Sequence, residues 1–346
     1  MREQSSPTNN QKNFFAIKII LLVVLLITLF FMSFLVGRFA ISPKVVSDII
    51  LSQFMDVNHY WKDTLETVVL QVRLPRITLA ILVGGVLSIS GASYQTLFKN
   101  PMVSPDILGV SAGAGFGAAL AMVNEGSWWQ IQSSAFVFGL LAVILAWLIG
   151  YSFGRNEITV LILGGIAVSS LFQALLSIVK TLADTDNALP SITFWLMGSL
   201  GKSSNQDVLF LLPITIICLF ILFLFRHQIN VLAAGEDEAI TMGVNVPLVK
   251  MVVITSATLM TVSSVSICGI IGWVGLVVPH IARMISGASF SKLAATSFLI
   301  GGGFLLIIDN IVRGIEGVEL PLGVLTALVG TPVFVLLLSR VRKGWS

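Results

Sequence analysis

Ten times along its 346 residues the chain runs apolar for long enough to cross a bilayer. A membrane-spanning helix needs roughly 20 predominantly apolar residues. The runs lie near 14–39, 66–97, 104–123, 131–153, 158–181, 207–225, 248–268, 271–286, 293–313 and 320–339. In lipid each backbone polar group must find its partner within the protein, so runs of this length specify helices. Composition agrees: 56% of the residues are hydrophobic and only 11% charged, where a soluble domain carries about 25% charged residues. The fold class expected is therefore an all-α polytopic membrane protein. A polar tail over 1–13 precedes a single transmembrane domain over 14–346. The first run is longer than a secretory h-region and no small-residue cleavage site follows it, which points to a retained helix.

Ten spans place both termini on one side, and the distribution of basic residues says which. The N-terminus, Lys99, Arg155, Arg226, Lys250, Arg283, Lys292 and the tail "SRVRKG" fall together and are assigned to the cytoplasm. The opposite loops hold most of the acids, among them Asp48, Asp56, Asp63, Glu66, Glu125, Asp184, Asp186, Asp207, Glu316 and Glu319. Lys44, Lys62, Lys202 and Arg313 run against the trend. The expected location is the bacterial cytoplasmic membrane, embedded in its lipid bilayer.

One boundary is irregular. Met251 to Pro279 carries no charge, a length of roughly 29 residues or about 44 Å of helix. That exceeds one ordinary span and falls short of two. Gly269, Gly272 and Gly275 offer places to break, so a full helix followed by a short one is expected. "LSISG" (87–91) also echoes "VSICG" (265–269), and each final glycine precedes a proline by ten residues, Pro101 and Pro279. A fainter echo pairs Glu157 with Glu319 and Phe172 with Phe334. The first pair would run in opposite senses through the membrane, as in an inverted internal repeat.

Several motifs suggest chemistry that their context denies. "GVSAG" (109–113) fits G-x-S-x-G, but a nucleophile elbow needs a strand before it and a helix after it. Here Gly109, Gly113 and Gly117 recur every fourth residue and predict a helix-packing face. An intramembrane protease pairing Ser111 with His280 is the enzyme alternative. "GSLGKS" (198–203) has leucine at 196 where a phosphate loop needs glycine. The three histidines are scattered and the two cysteines lie in apolar runs, so no metal site is expected and no catalytic residue is assigned. A net charge of +3 gives no case for a nucleic-acid partner. Asp184 and Asp186 read as a solvated loop. An ion- or proton-coupled carrier would need acids deep in the membrane, and Asp106 and Asp309 are its candidates.

"NVLAAGEDEAITMGVNVP" (230–247) is different: short, amphipathic and punctuated by Gly235 and Gly243. Two short helices there would form a rigid cytoplasmic knob. Together with "RLPR" (73–76), "SISGASYQTLFKNPMVSPDILGVSAGAG" (88–115), "FWLMGSL" (194–200), "GIIGWVGLVVPHIAR" (269–283), "DNIVR" (309–313) and "ELPLGVLTALVGTPVF" (319–334), this stretch resembles one family. It is similar to the membrane permeases of binding-protein-dependent ABC importers for iron–siderophore complexes, haem and cobalamin. Trp273 stands where that family commonly has phenylalanine.

The resemblance implies a type II importer permease with ten spans that pairs with a second permease subunit, identical or paralogous. Two ATPase subunits would dock on the cytoplasmic side and an extracytoplasmic siderophore-binding protein on the other. This chain would bind no cofactor; ATP and Mg would sit on the ATPase. Ala233, Gly235, Glu236, Ala239 and Gly243, within coupling helices near 231–246, would contact the ATPase. Arg73, Arg76 and Arg313 would face acidic residues of the binding protein, a role suited to a side chain that pairs bidentately with carboxylates. Asn100, Met102 and Thr159 would line or gate the pathway.

Overall fold

The computed structural model describes residues 9–37, 39–154, 158–287, 289–315 and 320–342. The first eight residues of the polar tail, Arg155, Glu157, Glu316, Glu319 and Lys343 lie outside them. Among the described residues there are helices and no strand. Seven helices are long and apolar enough to cross a membrane, and three shorter apolar ones, Val110–Val123, Val274–Ser286 and Leu322–Leu337, accompany them. Together they occupy all ten stretches expected to span.

The order begins with α1 (Asn9–Ser33), α2 (Pro43–Leu51) and α3 (Asp63–Thr67), which runs through a π-helical turn, Val68–Arg73, into α4 (Leu74–Leu97). Pro75 lacks an N–H, and the wider turn absorbs the register it interrupts. A 3-10 turn, Pro105–Leu108, leads into α5 (Val110–Val123), followed by α6 (Trp128–Gly154), α7 (Ile158–Leu182), α8 (Ala188–Leu196) and α9 (Asn205–Leu224). Two short helices, α10 (Arg226–Ala234) and α11 (Glu236–Thr241), precede α12 (Val246–Cys268), α13 (Val274–Ser286), α14 (Phe290–Gly314) and α15 (Leu322–Arg342).

Helix α4 is the axis of the bundle, buried along most of its length against α9, α12, α13 and α14. By contrast α1 buries none of its apolar window and lies at the periphery. Contacts between helices are built from small residues. A Cβ on Gly84 would sit 2.2 Å from the Gly301 carbonyl oxygen, and one on Gly91 1.8 Å from that of Gly275. Backbones approach this closely only where both side chains are absent, and such approach drives helix association in lipid. Polar ties are few and specific. The Tyr94 hydroxyl meets Thr258 Oγ1 at 2.8 Å, and Gln95 Nε2 donates to the Leu276 carbonyl at 3.1 Å, joining α4 to α12 and α13.

Two expectations are corrected in detail, and one helix is added. The stretch 104–123 does not form one span: Pro105 opens a 3-10 turn, Gly109 takes φ +87°, and only 14 residues remain for α5. Gly109 is consequently a turn residue, while Gly113 and Gly117 pack on the Phe138 and Ser134 backbone of α6. The break after α12 falls at Gly269 and Trp273, both left-handed, whereas Gly275 sits inside α13 against Pro105. Finally, α8 follows the Asp184–Asp186 loop as a helix with Ile192 and Trp195 buried. At nine residues it is too short to register as a span. Of the repeat segments, 87–91 lies inside α4 and 265–269 at the end of α12.

Candidate functional site

At one end of the bundle α10 and α11 form the knob. Ile229 and Leu232 of α10 are buried, and Asn230 Oδ1 accepts from the Phe290 N–H at 2.7 Å, which fixes α10 to the start of α14. Gly235 is extended and separates the helices. Glu236, Asp237 and Glu238 then fill the first turn of α11, where negative charge complements the helix dipole. At its C-terminus the Gly243 N–H donates to Ile240 and the Val244 N–H to Ala239, each at 2.9 Å. This is a Schellman closure, which requires the left-handed Gly243 (φ +76°). Lys250 Nζ bonds both Glu236 oxygens, at 2.8 and 3.0 Å, and so ties α11 to α12. The knob is held at several points by its own chain.

The residues expected at this contact divide. Gly243 is open, with nothing within 4 Å of an added Cβ. Ala239 is fully buried and Gly235 also faces inward, so neither presents a surface. Ala233 is half-buried, and Glu236 is spent largely on Lys250. The side chains that project are Ile240 and Met242, 60% and 65% exposed. Sequence reasoning passed over them, although two apolar residues in an otherwise acidic turn are the available signal.

At the opposite end, Asp309 of α14 is completely buried. Arg76 Nε bonds its Oδ1 at 2.8 Å. Arg313 Nε lies 2.9 Å from Oδ2, as a charge contact without hydrogen-bond alignment. Arg313 Nη1 also donates to the Ser33 and Val36 carbonyls, each at 3.1 Å. Arg73, itself buried, donates to the carbonyls of Phe34 and Phe39. A helix leaves its last carbonyls without partners, and here guanidiniums take up those at the end of α1. The three arginines lie together at one end of the bundle, but their hydrogen bonds run into the chain. They moor a peripheral helix that has little burial of its own.

Asp309→Ala should therefore destabilise the protein by about 3–5 kcal/mol, the usual cost of stranding a buried charge. Thermal unfolding in detergent would register it. A midpoint unchanged from the parent would show that the cluster holds nothing together.

Asn100, Met102 and Thr159 are all exposed; Asn100 Oδ1 accepts from the Met102 N–H at 2.9 Å within one loop, and no hydrogen bond among the described residues joins either of them to Thr159. Ser111 donates to Asp106, and among the described residues no hydrogen bond links Ser111 to His280.

A family model described as the FecCD transport family matches residues 25–340. A molybdate import system permease protein of Haemophilus influenzae is 34% identical over 338 residues, 98% of each chain. A probable iron chelatin transport system permease protein of Helicobacter pylori is 36% identical over 282 residues, 81% of this chain and 84% of that one. Among solved structures, one described as an inward-facing conformation of a metal-chelate type ABC transporter superposes with a TM-score of 0.82. It is 35% identical and covers 93% of this chain and 98% of its own.

Proposed function

The chain belongs to the FecCD transport family and is an ABC importer permease, and from that premise we propose that it passes an iron(III)–siderophore complex across the cytoplasmic membrane. The observation that carries the coupling part of the reading is the knob: a short, internally braced pair of helices presenting Ile240 and Met242 beyond the spans. Such a body transmits force because it moves as a unit. The reading takes its end of the bundle as cytoplasmic, in line with the basic residues there. Two ATPase subunits, which carry ATP and Mg, receive one knob from each of two permeases. The bundle then opens alternately to either side, through states that nucleotide and binding protein favour unequally.

At the other end the Arg73, Arg76, Arg313 and Asp309 cluster retains an excess of positive charge. Acidic residues on a binding protein are drawn to it by the field at the bundle end rather than by free guanidiniums. The gate assignment of Asn100, Met102 and Thr159 rests on their exposure at the knob end alone.

The metal-chelate description of the structural neighbour and the iron chelatin description of one relative favour an iron complex; the molybdate relative favours an oxyanion. Proteoliposomes containing the permease, its ATPase and its binding protein decide between them. Radiolabelled ferric trihydroxamate should accumulate with ATP, and excess molybdate, haem or cobalamin should not compete. Accumulation of one of those three in place of the ferric chelate would overturn the substrate assignment.

A further inference from the structure

Helices α9 and α14 both pack on α4, and between them a groove of about 500 Å³ opens with Ile89 of α4 at its floor. Its lining follows one face on either side. Leu219, Phe223 and Arg226 recur every third or fourth residue along the first, and Ser291, Ala295 and Phe298 along the second. Arg226 and Ser291 are the polar members and both sit at the knob end; the rest of the lining is apolar. From Ser291 to Leu299 the groove runs about 12 Å along α14.

The groove opens outward, on a face of the bundle that the chain leaves uncovered. Phe220 and Phe223 are 60% and 55% exposed and Ala295 is exposed too, whereas Ile89 and Phe290 are buried. A helix is about 10–12 Å across, so one lying here would need about 1,000 Å³ over the same length. A single hydrocarbon tail needs far less and meets apolar walls throughout. Arg226 sets the chemistry of the other end. Its guanidinium lies over the Phe223 ring, 3.9 Å from the centroid, and Nη1 donates to the Phe223 carbonyl at 2.8 Å. No carboxylate among the described residues pairs with it. Exposed but held at the mouth, it has further N–H groups for an oxyanion, and a guanidinium suits a phosphate. Basic sites between transmembrane helices, at the level of the head groups, bind anionic lipids.

We propose that this groove holds one anionic phospholipid from the leaflet on the knob side, with an acyl chain between α9 and α14 and its phosphate on Arg226. The site lies at the root of the knob, where Asn230 of α10 accepts from the Phe290 N–H. It is independent of which cargo the permease carries.

The probes are dioleoyl phosphatidylglycerol, which is anionic, and dioleoyl phosphatidylcholine, which is zwitterionic and has the same tails. Each is titrated into the permease–ATPase complex in neutral detergent, and native mass spectrometry counts the lipids retained. One phosphatidylglycerol per permease should bind about fivefold more tightly than phosphatidylcholine, the effect of one arginine on an anionic head group. Arg226→Gln should bring phosphatidylglycerol down to the level of phosphatidylcholine. Lys292, at the same end but over Phe15 and outside the lining, is the control, and Lys292→Gln should keep the preference. Ala295→Trp fills the groove from an exposed position and should remove the tight site for both lipids. Equal retention of the two lipids by the parent would overturn the site, as would a preference that survives Arg226→Gln. Equal loss in Lys292→Gln would reduce the effect to general attraction at the membrane surface and overturn it too. So would retention of no lipid, the result if a second copy of the chain or another helix covers this face.

Discussion

Gly91→Ala should leave little folded protein, while Gly272→Ala should purify as the parent does. The two glycines differ in what a single added carbon meets. At Gly91 it would lie 1.8 Å from the carbonyl oxygen of Gly275 and 2.9 Å from that residue's Cα. No rotamer relieves this, because both sides of the contact are backbone. Helices α4 and α13 would have to separate by more than 1 Å, about the difference between that approach and an ordinary contact. Separation would strain the Gln95 bond to Leu276 and the neighbouring Gly84–Gly301 contact. Overpacking a core typically costs about 1–3 kcal/mol when side chains can yield; here they cannot, and the whole axis of the bundle shifts. At Gly272 an added carbon meets nothing within 4 Å. Size-exclusion chromatography of the solubilised variants reads the result. A monodisperse Gly91→Ala protein with parental melting would mean that α4 and α13 do not cross as closely as described.

Ile240→Asp combined with Met242→Asp should abolish ATP-driven transport and leave the permease folded. Both side chains project from the end of α11 and are mostly exposed, so their loss removes little contact of the chain with itself. Carboxylates placed at a hydrophobic contact must be desolvated without a partner, and the acidic first turn of α11 adds repulsion if the docking groove carries acids. Uptake should fall at least tenfold, co-purification of the ATPase should weaken, and the melting temperature of the permease alone should stay within about 2 °C, as for a surface substitution. Normal uptake by the double variant would remove the knob from the coupling path.

The fold was readable where lipid leaves the chain no choice. Every apolar run had to be a helix, and the charge-free stretch around Gly269 could hold only one full span and a short one. Where the break falls was not readable. Trp273 adopts φ +70°, a conformation a bulky residue takes only when its surroundings impose it; its ring packs on Gly330 and Phe334, far along the chain. The arginine cluster shows the same division. Charge bias puts Arg73, Arg76 and Arg313 at one end, but hydropathy cannot reveal that Arg76 pairs with Asp309, 233 positions away, or that the others finish α1. In the knob, Gly235 and Gly243 punctuate two helices as expected. Which residues face outward depended on the Schellman turn and on Lys250, and these bury Ala239 and present Ile240 and Met242.

As an ABC importer permease, the chain is proposed to act as a conduit driven by a separate ATPase. The most direct test is chelate accumulation in sealed proteoliposomes under two regimes. With the ATPase, the loaded binding protein and ATP present, accumulation should proceed with no ion gradient; with an imposed proton or sodium gradient and no ATP, it should not exceed that of empty vesicles. Gradient-driven uptake by the chain alone would contradict the account and make Asp106 and Asp309 the residues of a secondary carrier.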